Sequence, residues 1–424
     1  MLWIFLGVLF AGIIVGIPIS FSLGLAALAM MLASGENPAI LVEQAINGVN
    51  SFPLLAIPFF ILVGEIMSRG GIATRLVALA QALVGFMAGG LGQVNVAASM
   101  FFGGISGSAV ADASAIGGIM IPPMKKQGYR AGHATAITVS AAVIGIIIPP
   151  SIPMILYGIV TETSISALFI AGIVPGIVIG VALMLTTYLT SRRATGGASR
   201  QQFSGAALAK SFKAAWLGLL LPVLIIGGIL GGIFTATEAA VAAVIYSLVI
   251  SLFVYKEIRV RDLWPILIRT GRLTGMVLFL LALATPVAIL LTKSLIPQAL
   301  VAAASGFSTN PYVMLIIMCV MLVIVGVVMD LTPAMVILAP IMAPIVIAVG
   351  VDSVYFGVLM SFVLGVGLIT PPVGTVLYVG CAVGKVSMQE LLRNMPPFYL
   401  AMLAVLILLL AFPQLVLFLP SVAG

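Results

Sequence analysis

FFGGISGSAVADASAIGGIMIPPM, residues 101–124, is apolar at both ends and interrupted in the middle. Gly103, Gly104, Ser106, Gly107 and Ser108 break the helical run, and Asp112 sets a carboxylate beside the break. In hydrocarbon, backbone that leaves a helix must find partners in protein or in a water-filled cavity. An ionisable group at that depth marks a functional site by default. The stretch therefore reads as the core of a re-entrant hairpin, about residues 93–124, with helices on either side of a Gly/Ser tip.

The rest of the chain agrees with a membrane setting. It is 62% hydrophobic and 7% charged over 424 residues, whereas a soluble domain carries about 25% charge. A polytopic, all-α membrane protein is expected, with room for about ten to twelve membrane elements. The net charge of +7 does not indicate nucleic acid, because the basic residues are scattered through short connections. There they act as orientation signals. Cys319 and Cys381 lie in apolar runs and suggest neither a disulfide framework nor a metal motif. His133 cannot build a metal site alone and, near Lys126 and Arg130, is expected at the interface. No Lys or Arg precedes the first apolar stretch, so that stretch is expected to stay as a membrane helix rather than act as a signal peptide. No nucleophile, acid–base pair or metal cluster stands out, which argues against an enzyme.

Leu2–Leu32, with Gly16-Ile17-Pro18 near its centre, fits one tilted helix or two short ones. An amphipathic piece runs to Asn50, and Phe52–Met67 is a span. Leu76–Gly89 either spans or lies along the interface. After the hairpin, a helix over 131–160 is broken at Pro149-Pro150, and Leu168–Thr190 spans. The polar connection 192–213 separates a first half, 1–191, from a second, 214–424. Spans follow at about Ala215–Ile233, Ala236–Tyr255 and Leu273–Leu291. Then come a second hairpin (about 310–349), a second broken helix (354–384, at Pro371-Pro372) and a last span, Pro397–Leu419. Glu65 and Arg69 are spaced for an i,i+4 ion pair. Thr235 and Glu238 have the form of a capping box.

The halves resemble each other. Gly145, Pro149, Pro150 and Gly158 recur, all at one offset, as Gly367, Pro371, Pro372 and Gly380. Asp112, Pro122 and Met124 recur at a slightly shorter offset as Asp330, Pro340 and Met342, and Gly16-Ile17 at a shorter one still as Gly232-Ile233. Loop charge alternates between matched connections: Lys125, Lys126 and Arg130 follow the first hairpin, only Gly350 and Asp352 the second. Thr161-Glu162-Thr163 follows the first broken helix, Lys385 and Arg393 the second. With basic loops inside, this predicts an inverted-topology repeat of the kind found in secondary transporters.

A helix interrupted at Pro-Pro leaves upstream carbonyls without amide partners. Carbonyls at Gly145–Ile148 and Gly367–Thr370, with hydroxyls of Ser106, Ser108, Thr332 and Thr370, make neutral oxygen cages. Such cages suit an alkali cation, for which Na⁺ is the usual choice, rather than a soft metal. Half-helix N-termini at Ser151 and Gly374 offer amides to an anionic substrate. Lys293 is the main candidate partner for a substrate carboxylate, or else snorkels to the interface. Asp112 and Asp330 fit either a helix cap or a substrate or ion role.

At these residues the chain resembles the large membrane subunit of tripartite ATP-independent periplasmic (TRAP) transporters. GGISGSAVADASAIGGIMIPPM, IIIPPSIPMILYG (146–158), FTATEAAVAA (234–243), MDLTPAMVILAPIMAPI (329–345) and GLITPPVGTVLYVG (367–380) carry the resemblance over essentially the whole chain. It implies a Na⁺-driven elevator in which a transport domain slides against a scaffold in the bacterial inner membrane. It also implies a small four-helix membrane subunit as partner, and a periplasmic binding protein that delivers an organic acid anion, chiefly a C4-dicarboxylate or a sialic acid. The sialic-acid branch looks nearer. The family's two sodium sites fall on Ser106, Ser108, Gly145, Ile148 and Pro150, and on Gly326, Thr332, Gly367, Thr370 and Pro372. Its substrate-site acid matches Asp330, and a basic residue near the second hairpin matches Lys293. A stand-alone divalent-anion/Na⁺ symporter and an ion channel are the competing readings.

Overall fold

The computed structural model describes residues 1–194, 203–307, 310–372 and 374–423. They are helical, with no strand among them. The first apolar stretch is two helices, α1 (Leu2–Val15) and α2 (Ile19–Ser34). Gly16 separates them in a left-handed conformation, and Pro18 forbids continuation. A Cβ at Gly12 would lie 2.9 Å from Ser22 Cβ, so these two helices approach closely where the side chain is absent.

α3 (Ala39–Val49), α4 (Ala56–Arg69) and α5 (Ile72–Val84) follow. At 13 residues α5 is about 20 Å long, too short to cross a bilayer core. It is an arm packed on α6 (Gly90–Ser106) and α11 (Gly205–Leu230). The first hairpin is α6 with α7 (Ala109–Lys126). The first broken helix is α8 (Ala131–Ala142), a 3₁₀ turn at Val143–Ile146, and α9 (Ile152–Val160). α10 (Ile165–Ala194) leads to the connection. Its residues 195–202 lie outside those described, while 205–213 already belong to α11.

The second half contains α12 (Ala236–Val249), which opens with the expected capping box. α13 (Val260–Lys293) runs for 34 residues, well beyond the expected span from Leu273 to Leu291. α14 (Ile296–Phe307) precedes the second hairpin, α15 (Pro311–Val328) with α16 (Leu331–Ala348). The second broken helix is α17 (Ser353–Gly367) with α18 (Thr375–Gly384). α19 (Met388–Leu392), α20 (Pro396–Ala411) and α21 (Gln414–Ala423) close the chain. The expected last span is bent by 57° between α20 and α21, where Phe412 leaves the helix ahead of Pro413.

Among the described residues, six helices are long and apolar enough to cross a membrane: Phe52–Arg69, Ile165–Ser191, Gly205–Leu230, Ala236–Val254, Val260–Lys293 and Leu331–Ala348. The bent α20–α21 pair is a seventh if taken as one span. The hairpins and broken helices interlock crosswise. α7 packs on α18, and α16 packs on α9.

Element ends give a single register for this part of the repeat. α7 starts at Ala109 and α16 at Leu331; α8 starts at Ala131 and α17 at Ser353. The cis peptide bonds are Pro149-Pro150 and Pro371-Pro372. All three pairs share the offset that relates the broken helices, so the shorter offset expected for the hairpins does not match their helix ends. Asp330, which precedes α16, falls opposite Ser108, which precedes α7. Asp112 falls opposite Ala334 and has no acidic counterpart. His133 also departs from expectation. It is buried, between the rings of Tyr129 and Phe398, because α10 and α20 cover the start of α8.

Candidate functional site

Each hairpin tip is built by ordinary helix-end chemistry. Gly107 ends α6 in the left-handed region, its amide bonding to the Gly103 carbonyl at 3.3 Å. Ser108 is the N-cap of α7, its hydroxyl accepting from the Ala111 amide at 3.4 Å. Asp112 is therefore not the cap. It lies in the first turn of α7, fully buried, with the Ser99 hydroxyl beside its carboxyl. At the second tip Met329 is extended and Asp330 takes the N-cap position. The Asp330 side chain makes no cap bond. It accepts instead from the Thr375 hydroxyl, at 3.1 Å.

Each tip sits on an interrupted helix. A Cβ at Gly103 would lie 2.6 Å from Gly145 Cα, and one at Gly107 would lie 2.9 Å from the Pro150 carbonyl oxygen. Only glycine allows that approach of backbone to backbone. The Ile152 amide donates to the Gly107 carbonyl, tying the first tip to the start of α9. In the second half, a Cβ at Gly367 would lie 2.7 Å from the Gly326 carbonyl oxygen. There Asp330–Thr375 ties the tip to the start of α18.

The prolines strip amides from the same carbonyls in both halves. In an unbroken helix Gly145 and Ile146 would accept from residues 149 and 150, and Gly367 and Leu368 from 371 and 372. All four of those donors are prolines. Ile146 is recaptured by the Ser151 hydroxyl and Leu368 by the Val376 amide. Gly367 accepts from Thr370. The Thr370 hydroxyl donates to Val366, and the Pro372 carbonyl accepts from the Tyr378 hydroxyl at 3.1 Å.

A cleft of about 260 Å³ opens where the tips meet. Ser106, Ser108, Asp330 and Thr332 line it, with Ile146, Ile152 and Leu368 from the broken helices. α4 adds Gly64 and Glu65; α13 adds Arg269 and Met276. Gly145 and Ile148, with Pro150, lie beneath the first tip; Gly326 and Gly367 lie behind the second. Thus Ser106, Ser108 and Thr332 meet at one cleft, while Thr370 and Pro372 are engaged with Val366 and Tyr378 and are not among its lining residues.

Two expectations meet a different geometry. Ser151 is buried and its hydroxyl caps α9, accepting from Met154. The Ile152 and Ile155 amides are also bonded within the protein, and residue 153 is a proline. Gly374 is buried too, its amide donating to the Thr370 carbonyl at 3.1 Å. Lys293 stands apart from the cleft at the far end of α13. It bonds Glu36 at 3.0 and 3.2 Å.

The cation that does line the cleft is Arg269, on the same helix as Lys293 but in its N-terminal third. The expected span began at Leu273, which left Arg269 in a connection. Its Nε is 3.0 Å from Glu65 Oε1, whereas the expected Glu65–Arg69 contact is longer, at 3.9 Å. The one sequence signal for Arg269 was continuation of the helix back to Val260. Nothing local pointed to Thr375.

Comparison with known proteins identifies the family. Residues 6–415 match the model for the Tripartite ATP-independent periplasmic transporter, DctM component. The 2,3-diketo-L-gulonate TRAP transporter large permease protein YiaN of Escherichia coli is 39% identical, covering 97% of each chain. The sialic acid TRAP transporter large permease protein SiaM of Vibrio cholerae is 37% identical, covering 98% of this chain and 96% of its own. Among solved structures, the Alcanivorax borkumensis YdaH transporter superposes with a TM-score of 0.65 over 88% of this chain and 87% of its own. At 17% identity that likeness concerns the fold alone. With near-complete coverage of these permeases and the family model spanning almost every helix described above, the chain belongs to the DctM family of TRAP transporter large permeases, multi-pass proteins of the bacterial inner membrane and not enzymes.

Proposed function

We propose that this chain is the Na⁺-coupled, membrane-embedded path for an organic acid anion. It works with a small four-helix membrane subunit and a periplasmic binding protein. The observation that carries the reading is the pair of tips seated on proline-interrupted helices around one cleft. Neutral oxygens gathered at two such breaks suit two Na⁺ ions. One set is Ser106, Ser108, Gly145, Ile148 and Pro150; the other is Gly326, Thr332, Gly367, Thr370 and Pro372. Half-helix C-terminal ends add favourable dipoles. Asp330 lies on the cleft between these sets, where it can accept a substrate hydroxyl or amide.

The two hairpins and broken helices form the sliding body, and α13, packed on α2, α3 and α4, belongs to the scaffold. With basic loops inside, the cleft lies toward the cytoplasmic half, near the α13 end that follows Lys256–Arg261. The substrate class is sugar acids or C4-dicarboxylates. The relatives' differing cargoes, at 39% and 37% identity, do not favour the sialic-acid branch over the others.

The test is uptake of labelled N-acetylneuraminate, a keto sugar acid and succinate into proteoliposomes carrying both membrane subunits. Uptake of at least one should require an inward Na⁺ gradient and the loaded binding protein. Uptake unchanged in K⁺ would rule out Na⁺ coupling. Uptake without the binding protein would favour a stand-alone symporter, and a non-saturating current a channel.

A further inference from the structure

We propose that Arg269 receives the substrate carboxylate in the cleft, and that Glu65 holds its place when the cleft is empty. The proposal rests on the transport reading above and adds a recognition residue to the scaffold side. Among the described residues lining the cleft, Arg269 is the single cation; Glu65 and Asp330 are the acids. An anion entering this cleft therefore meets one positive group within it.

The surroundings of Arg269 suit an exchangeable partner. Its side chain is 54% exposed, while Glu65 opposite is 10% exposed. The contact uses Nε, and a guanidinium has four further N–H donors in a planar fork matched to a carboxylate. Glu65 presents the same chemical group that the substrate would bring. The Glu65 carboxylate gives the guanidinium a charged partner while the cleft is empty. The displaced Glu65 is not stranded either. Arg69 Nε is already 3.9 Å from its other oxygen, Oε2. Substrate entry thus exchanges one carboxylate for another at Arg269, and Glu65 turns toward Arg69.

The location adds a direction. Glu65 and Arg269 sit on α4 and α13, whereas the oxygen cages sit on the hairpins and broken helices. A Cβ at Gly64 would lie 3.4 Å from the Ser106 carbonyl oxygen, so α4 touches the first tip just beside Glu65. When the sliding body leaves this position, the substrate leaves Arg269 with it and Glu65 closes on the arginine again. Arg269 acts as a station at one end of the stroke.

The test uses the complex with its small subunit in nanodiscs, with phenylglyoxal modification of Arg269 read by peptide mass spectrometry. Glu65→Gln should raise the modification rate severalfold. N-acetylneuraminate or succinate, whichever the wild type transports, should slow it more than sulfate at equal ionic strength. In proteoliposomes, Arg269→Ala should raise KM about tenfold, the loss of a charged hydrogen-bonded pair, with Arg269→Lys intermediate. The double variant Glu65→Gln/Arg269→Gln removes both members of the pair together, leaving only the half-exposed Arg69 without its longer contact, and guards against misfolding. If it is monodisperse and keeps the wild-type KM, the pair is structural and the proposal fails. Equal protection by sulfate and by the transported carboxylate would also overturn it. Loss of Na⁺ dependence in the wild type would count against the coupling alone; protection of Arg269 by the transported carboxylate beyond that by sulfate would still support the proposal.

Discussion

The two hairpin tips share a frame and differ in chemistry. Both sit at helix ends that match under one repeat offset, and both rest on a helix broken at a cis Pro-Pro. The first tip is Ser106-Gly107-Ser108, with a hydroxyl cap and a buried carboxyl at Asp112 one turn further along α7. The second has Asp330 at the cap position itself, lining the cleft and bonded to Thr375. A repeat can thus keep the backbone break while moving the carboxylate from behind one tip to the face of the other. The tips also divide their glycine contacts differently. In the first half the tight position is on the hairpin, Gly103, with 2.6 Å to Gly145 Cα; a Cβ at Gly145 would stand 3.3 Å from Gly103 Cα. In the second half the tight position is on the broken helix, Gly367, with 2.7 Å to Gly326; a Cβ at Gly326 would stand 3.3 Å from Gly367 Cα.

That crossing makes the strongest prediction. Gly103→Ala and Gly367→Ala should each abolish Na⁺-dependent uptake and lower stability by about 1–3 kcal/mol, read by thermal unfolding in detergent. Gly145→Ala and Gly326→Ala need a shift of only a few tenths of an ångström and should retain a folded, active protein. The same severity at all four positions would contradict the asymmetry. Next in size, Asp330→Ala should cut uptake at least about tenfold, since it removes a cleft acceptor and leaves Thr375 without its partner. Asp112→Asn should leave folding intact and raise the Na⁺ concentration for half-maximal uptake severalfold, because its carboxyl lies against Gly145 (Oδ2 3.7 Å from a Cβ built there). An unchanged Na⁺ dependence would make Asp112 purely structural. The smallest effect is expected at the base of the first hairpin. Lys125 Nζ donates to the Gly384 carbonyl at 2.6 Å, at the C-terminal end of α18. Lys125→Ala should slow uptake less than about threefold, the loss of one partly exposed cap contact, and Lys126→Ala should leave it unchanged.

Much of the frame is legible in the sequence. Gly and Pro mark where membrane backbone must leave a helix, so the hairpins and broken helices were visible in composition and spacing. The hairpin register was less so. Matching acid to acid paired Asp112 with Asp330, whereas the chain terminates helices by backbone conformation. Ser108 and Asp330 are both extended cap positions, and that pairs them despite their different side chains. Apolarity alone sets the limits of an expected span, whereas the helix itself runs back to Val260 and carries Arg269 beyond those limits with Glu65 opposite. Neighbouring charges point His133 to the interface, yet helices distant in sequence cover it.

By itself, then, the sequence determined an all-helical membrane protein with two related halves, two interrupted helices and oxygen-rich tips. Those follow from local rules: hydrocarbon demands internal hydrogen bonding, proline removes a donor, and glycine admits close approach. Only the tertiary structure decided which tip carries its acid into the cleft, which glycine of each pair bears the contact, and which cation lines the cleft. These depend on side chains far apart in the chain. Glu65 meets Arg269, and Asp330 meets Thr375, only after packing brings their helices together.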